Sequence, residues 1–177
     1  MATSEQTKRV KLGPCIVKFD ATDLGLTKGG VEVAITTNRY EVTVDQFGST
    51  AINDIITGRS GTVTVPLAEY DLNKLLTVIP GATLVSDATT PTKQKLEIPT
   101  AVGVSLIETA KVLTLHPKHL PETDRSEDVT VPLASPAGDL QFSFQVENER
   151  VYAIEFRMYP DEETGLLAVL GDYTAAA

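Results

Sequence analysis

Apolar and polar residues alternate with a period of two along much of the chain. Val31, Val33 and Ile35 alternate with Glu32, Ala34 and Thr36, and Tyr40, Val42 and Val44 alternate with Glu41, Thr43 and Asp45. Val63, Val65 and Leu67 alternate with Thr62, Thr64 and Pro66. The rule recurs at Val102, Val104 and Leu106, at Phe142, Phe144 and Val146, and at Tyr152, Ile154, Phe156 and Met158. Such a period sends successive side chains to opposite faces of a strand, one to a core and the other to water or a partner. Thr37, Asn38 and Arg39 separate the first two runs and predict the short connection of a β-hairpin, with Gly29-Gly30 as a turn before it.

One segment has helical spacing instead. Leu72, Leu75, Leu76 and Ile79 sit at i, i+3, i+4 and i+7, Asp71 is placed to cap them, and Pro80-Gly81 stops the run. This predicts a short helix over Asp71–Ile79 whose apolar stripe docks on a sheet or a barrel end. Leu166–Leu170 is a weaker segment that suits either a helix or a strand. The fold class is therefore mainly β, a barrel or sandwich of mostly antiparallel strands with one short flanking helix.

Two segments read as loops. Asp45–Gly61 lies between patterned strands and combines Gly48, Gly58 and Gly61 with Asp45, Asn53 and Asp54, yet it also carries Phe47, Ile52, Ile55 and Ile56. A long loop inside a compact domain serves a function or is disordered, and apolar side chains exposed on it point to a partner. The other is polar and Pro-punctuated, His116–Asp128. Met1–Pro14 is expected to be a mobile arm, 15–172 a single β-domain and 173–177 a tail.

Composition narrows the class. The chain has 177 residues, 42% of them hydrophobic and 22% charged, which suits one globular domain. It is rich in β-branched Thr, Val and Ile, which favour strands. The longest unbroken apolar run, Leu166–Leu170, is far below the length of a membrane-spanning helix. The formal net charge of −9 falls in the last third, where residues 120–177 hold twelve acids and three bases. A surface of that sign does not grip a phosphate backbone. The single cysteine, Cys15, excludes an internal disulfide framework, suits a reducing place of synthesis and reads as a buried structural residue.

Catalytic chemistry is thin. There is no Gly-rich phosphate loop, G-x-S-x-G elbow or C-x-x-C pair. His116 and His119, followed by Glu122 and Asp124, have the residue types of a zinc site, but the Pro-broken segment does not preorganise them, so they read as solvated loop histidines. Glu147/Glu149 and Glu162/Glu163 read as exposed polar faces. No enzyme, metal or cofactor is expected.

The stretches GGVEVAITTNRYEVTVDQFGSTAINDIITG, TVTVPLAEYDLNKLLTVIPGA, LTLHP with RSEDVTVPLASP, and ERVYAIEFRMYPDEETGLLAVLGD, in that order from Gly30 to Asp172, together resemble the tail tube (major tail) protein of long-tailed, siphovirus-like bacteriophages. Its fold is shared with the tube protein of type VI secretion. The resemblance implies a structural virion protein, assembled in the bacterial cytoplasm, whose hexameric rings stack into a hollow tube. It also implies tail-tip, tape-measure and terminator proteins as partners. Double-stranded DNA would pass through without specific binding, and no membrane would be entered.

In that architecture each subunit lends strands to an inner barrel. About 24 strands at about 4.8 Å spacing and about 40° tilt leave a bore of about 38 Å, wide enough for one duplex. The resemblance makes Asp45–Gly58 the inter-ring loop, with Asp45, Gln46, Phe47, Gly48, Ile52, Asp54, Ile55, Ile56 and Gly58 as contact residues. The acidic balance makes Glu32, Glu41, Asp45, Glu147, Glu149 and Glu155 candidate lumen acids that repel the cargo. The alternatives are a non-enzymatic β-sandwich binding module, against which the absence of Trp weighs for sugars, and another ring or tube component, such as a tail terminator or a secretion-system tube.

Overall fold

The computed structural model describes residues 10–100 and 102–175. The strands are β1 (Cys15–Phe19), β2 (Thr22–Asp23), β3 (Glu32–Thr43) and β4 (Ala51–Leu67), then helix α1 (Leu72–Val78), then β5 (Thr83–Ser86), β6 (Gln94–Glu97), β7 (Lys111–Pro117), β8 (Val129–Gln141), β9 (Tyr152–Tyr159) and β10 (Val169–Leu170). All pairings are antiparallel, in the order β2-β1-β7-β8-β9-β4-β3, with β10 beside β8 and β5–β6 as a separate hairpin. The fold is mainly β with one helix, and the sheet is not closed.

The sheet nevertheless curls around its own core. Phe19 on β1 and Phe156 on β9 are separated in the sheet by β7 and β8, which on a flat sheet would hold them about 14 Å apart. Their ring centroids are 5.2 Å apart. Val17, Val63, Val65, Leu67, Leu113, Leu115, Val131, Ile154 and Met158 fill the same interior. The predicted alternation holds on β4 and β9, where every second residue from Val63 to Leu67 and from Tyr152 to Met158 is buried.

α1 closes one end. Asp71 caps it, its side chain accepting from the Asn73 amide at 2.9 Å, and Leu75 and Val78 are buried beneath it. The predicted helix over Asp71–Ile79 is thus present, with its first and last residues as caps. Of the ambiguous Leu166–Leu170 segment, only Val169–Leu170 is a strand, and residues 166–168 have no regular structure.

Four expectations are corrected. Thr37–Arg39 is no turn: β3 runs straight through it for twelve residues. The expected Asp45–Gly58 loop shrinks to a tight turn with a 3-10 segment over Asp45–Phe47, because Ala51–Gly58 joins β4 and pairs with β3. Val102 and Val104 lie outside any strand, and Leu106 begins a 3-10 turn, Leu106–Thr109. Phe142, Phe144 and Val146 follow the end of β8 and have no partner strand. A period of two describes a chain that is able to be a strand, whereas a strand also needs a neighbour to pair with. β8 itself breaks register between Pro136 and Leu140, where Pro136 has no amide to donate and Gly138 takes a φ of 84°.

Of the expected N-terminal arm, residues 1–9 lie outside the described residues. Val10–Pro14 follow the surface without regular structure, held by a Lys11–Glu127 ion pair at 2.7 Å and by the Lys118 amide donating to the Pro14 carbonyl at 3.0 Å. Ala176 and Ala177 of the C-terminal tail are likewise outside. No described helix is long and apolar enough to cross a membrane.

Candidate assembly surface

The long strands β3 and β4 are packed on the domain at only one end. β9 pairs with β4 from Thr62 to Leu67 and then stops, while β3 and β4 continue together as far as Thr43 and Ala51. The result is a two-stranded ribbon projecting from the sheet. Every residue of β4 from Ala51 to Ser60 is exposed. From Ala51 to Leu67 the strand covers about 50 Å at about 3.3 Å per residue.

The register fixes which side chains share a face. Val33 and Ile35 lie opposite Val63 and Gly61 and so face the same side as the core; Gly61 has no Cβ because the Met158 sulfur would be 2.4 Å from it. Glu32 lies opposite Thr64, and Thr64 opposite Glu155, which makes one polar row across the outer face of β3, β4 and β9. Ala34, Thr62 and Arg157 form the next row.

Beyond Asn38 the pattern changes. Asn38 pairs with Gly58 and Arg39 with Ile56, so Thr57 is an extra residue; Val42 pairs with Asn53 and Thr43 with Ala51, so Ile52 is a second one. Tyr40 and Ile55 then lie opposite each other on the outer face, while Ile56 lies on the core-side face with Arg39, Glu41 and Asp54. Phe47 sits at the turn, 65% exposed, and Tyr40, Ile52, Ile55 and Ile56 are all more than half exposed. The outer ribbon therefore presents apolar side chains on both faces and has two unpaired strand edges. An isolated two-stranded ribbon is marginally stable in water, and open edges recruit further strands.

The structure spreads residues 45–58 along the outer ribbon, from the turn at Asp45–Phe47 inward to Gly58 opposite Asn38. The six candidate lumen acids are not brought together. Glu32 and Glu155 share the outer row with Thr64. Glu41 has the opposite parity on the same uninterrupted strand and so faces the other side, because the turn expected between them does not exist. Asp45 is in the tip turn, and Glu147 and Glu149 lie in the connection after β8. Glu149 forms an ion pair with Lys28, whose ammonium hydrogen bond holds its carboxyl below the ordinary range.

No family model matches this chain, and no curated protein matches it. Among solved structures, a similar chain is that in the cryo-EM structure of the anti-feeding prophage cap, described as the tube-terminating cap. It has a TM-score of 0.44 and 14% identity, with 89% of this chain and 94% of that chain covered. A likeness at that level carries no inference about what the present chain does.

Two features were missed by reading the sequence. His116 is not solvated: it lies one residue from the end of β7, is 7% exposed, and its Nδ1 donates to Asp128 Oδ1 at 2.6 Å. His119 faces Glu127 at 3.5 Å, and no cluster of three metal-ligating side chains exists among the described residues. Cys15 is half-buried, and burial pushes its thiol pKa up. The second feature is a groove of about 340 Å³ lined by Tyr70, Leu96, Ile98, Leu140, Phe142 and Tyr152. The unpartnered alternation at Phe142, Phe144 and Val146 was its only trace in the sequence.

Proposed function

We propose that this chain is a structural subunit that polymerises with copies of itself into the hollow tail tube of a long-tailed bacteriophage. Stacked, hexameric rings are the arrangement we propose, with DNA passing through the bore. The observation that carries the reading is the β3–β4 ribbon, apolar on both faces and open on both edges, which its own domain leaves uncovered. A ribbon of this kind is completed by neighbours that bury its faces and extend its sheet. Tail-tip, tape-measure and terminator proteins are the proposed heterologous partners, and the virion is the proposed location. The test is negative-stain electron microscopy of the purified protein across a concentration series. Annular or tubular particles are expected; globular monomers at every concentration overturn the reading.

The outer face of β3, β4 and β9 is the proposed bore surface. On the part paired with β9 it bears Glu32 and Glu155 among Ala and Thr side chains, with Arg157 4.0 Å from Glu155, and Tyr40 and Ile55 follow only on the outer ribbon. Carboxylates there repel phosphates and withhold the counterion-release affinity that lysines would supply, so DNA slides instead of binding. Replacing Glu32 and Glu155 together by Lys is expected to leave tubes intact and to slow or block genome ejection, followed by dye-reported DNA release from virions. Ejection at the parental rate from intact tubes removes Glu32 and Glu155 from the bore.

A further inference from the structure

The ribbon tip and the aromatic groove lie at opposite ends of β4. The tip surrounds the turn before Ala51, and the groove opens beside Leu67, where Tyr70 follows β4, Tyr152 pairs with Leu67, and Phe142 leaves β8. They are thus about 50 Å apart along one strand, and both are apolar and exposed. The tip is acidic, and the groove offers it cations. Residues 40–56 contain Glu41, Asp45 and Asp54 and no basic residue. The groove's charged lining residue is Lys95, which pairs with Glu97 at 2.5 Å, and the cation left without a carboxylate partner there among the described residues is Arg150 at the rim, 3.9 Å above the Phe144 ring and donating to the Tyr152 hydroxyl at 3.2 Å.

The tip also carries an internal conflict. Glu41 and Asp54 are directly opposite in the ladder and share a face. Like charges so placed destabilise a strand pair. Neither is within ion-pair distance of a cation among the described residues, although Arg39 is on the same face. A cationic partner removes the repulsion, while an apolar groove accepts the adjoining Ile56 and Phe47.

We propose that the groove beside α1 is the receptor for the ribbon tip of a second copy of this chain. The inference rests on the tube reading and adds the surface that receives each contact. Phe47 and the isoleucines enter between Tyr70, Ile98 and Phe142, and Glu41 and Asp54 meet Lys95 and Arg150. Because tip and groove are different surfaces at opposite ends of one subunit, the contact is head-to-tail. A heterologous contact either closes into a ring or repeats along an axis, and the second is the form proposed here, joining one ring to the next. Burial of the apolar side chains provides the attraction and the charges fix the register.

Paired cysteines test this. In a Cys15→Ser background, Phe47→Cys and Ile98→Cys are combined in one chain, and the protein is concentrated, oxidised and run on a non-reducing gel beside electron micrographs of the same sample. A ladder of covalent oligomers is expected from tubes of ordinary appearance. The control pairs Phe47→Cys with Leu170→Cys, exposed on β10 at the far end of the sheet, and is expected to give at least tenfold less cross-linking. Tubes without the Phe47–Ile98 ladder, or with an equal ladder from the control, overturn the groove as receptor and leave the tube reading standing. Absence of any assembly in the parental chain defeats the tube reading, and this inference with it. As a second measurement, Lys95→Glu is expected to abolish tubes while circular dichroism stays native, and Lys95→Glu with Asp54→Lys is expected to restore them. Failure of the double variant to assemble while Lys95→Glu alone does not either counts against the charge pairing.

Discussion

Replacing residues 39–57 by an Asn-Gly turn is expected to give a folded chain that stays monomeric at every concentration. Asn38 and Gly58 are directly opposite, the last pair before the first irregularity, so a two-residue turn of the type that suits a right-twisted hairpin closes the shortened ribbon there. None of the removed residues is buried, and the interior is built from Val63, Val65 and Leu67 further along β4 with β1, β7, β8 and β9. Stability is therefore expected to change by no more than about 1 kcal/mol, about 2–4 °C in thermal midpoint for a chain of this size. Assembly is expected to be lost altogether, because both apolar faces and most of both open edges go with the deletion. Calorimetry and sedimentation velocity separate the two effects. Tubes of parental length from the truncated chain would show that the ribbon is not the assembly element, and an unfolded product would show that it belongs to the fold instead.

The ribbon also shows where sequence reading succeeds and where it stops. Strands that pack on the core were legible, because Val63–Leu67 and Tyr152–Met158 must alternate to bury one face. α1 was legible because its apolar stripe, Asp71 cap and Pro80-Gly81 stop agree with one another. The ribbon was read as a loop for two physical reasons. It buries nothing in its own domain, so no single face has to be apolar, and its two extra residues, Thr57 and Ile52, shift the phase of the alternation on β4. On β3 the apolar phase moves from Val33 and Ile35 to Tyr40 and Val42, and a phase change looks like a turn in a one-dimensional pattern. In space it marks where the strand leaves the core and begins to present its other face. Phe47, Ile52, Ile55 and Ile56 were nonetheless legible as exposed, since apolar side chains flanked by glycines and acids have no local core. The lumen acids were less so. Glu32 and Glu41 could be placed on one face only by assuming a turn between them, and face assignments propagate any error in register to every later residue. The aromatic groove depends on long-range placement of Tyr70, Ile98 and Phe142, which no local period encodes.

Asp128→Ala is expected to cost about 2–3 kcal/mol, because it removes the charged acceptor of a buried hydrogen bond and leaves the donor unmatched. The His116 and Asp128 side chains are 9% and 5% exposed and 2.6 Å apart. The other ring nitrogen, Nε2, is 3.3 Å from the Leu120 carbonyl, so the imidazole ties together the end of β7, the turn that follows it and the start of β8. Asp128 also receives the chain's C-terminal region, its carbonyl accepting from the Gly171 amide at 2.7 Å. Removing the carboxylate leaves the imidazole with a donor unmatched beside a cavity lined by Lys18, Glu122 and Arg125, and loosens the 118–127 connection whose ends it pinned. Asp128→Asn keeps the shape and an acceptor oxygen, and is expected to cost about 1–2 kcal/mol, the difference between a charged and a neutral acceptor. Urea denaturation of the three chains reads this as a graded fall in midpoint at unchanged slope. Equal midpoints for Asp128→Ala and the parent would mean that water replaces the carboxylate without loss. Asp128 precedes the start of β8, whereas the groove lies at the end of that strand, beside Leu140 and Phe142. Asp128→Ala is therefore expected to lower stability while the folded fraction still assembles, the reverse of the ribbon truncation, and the two chains together separate what holds the subunit from what joins it to its neighbours.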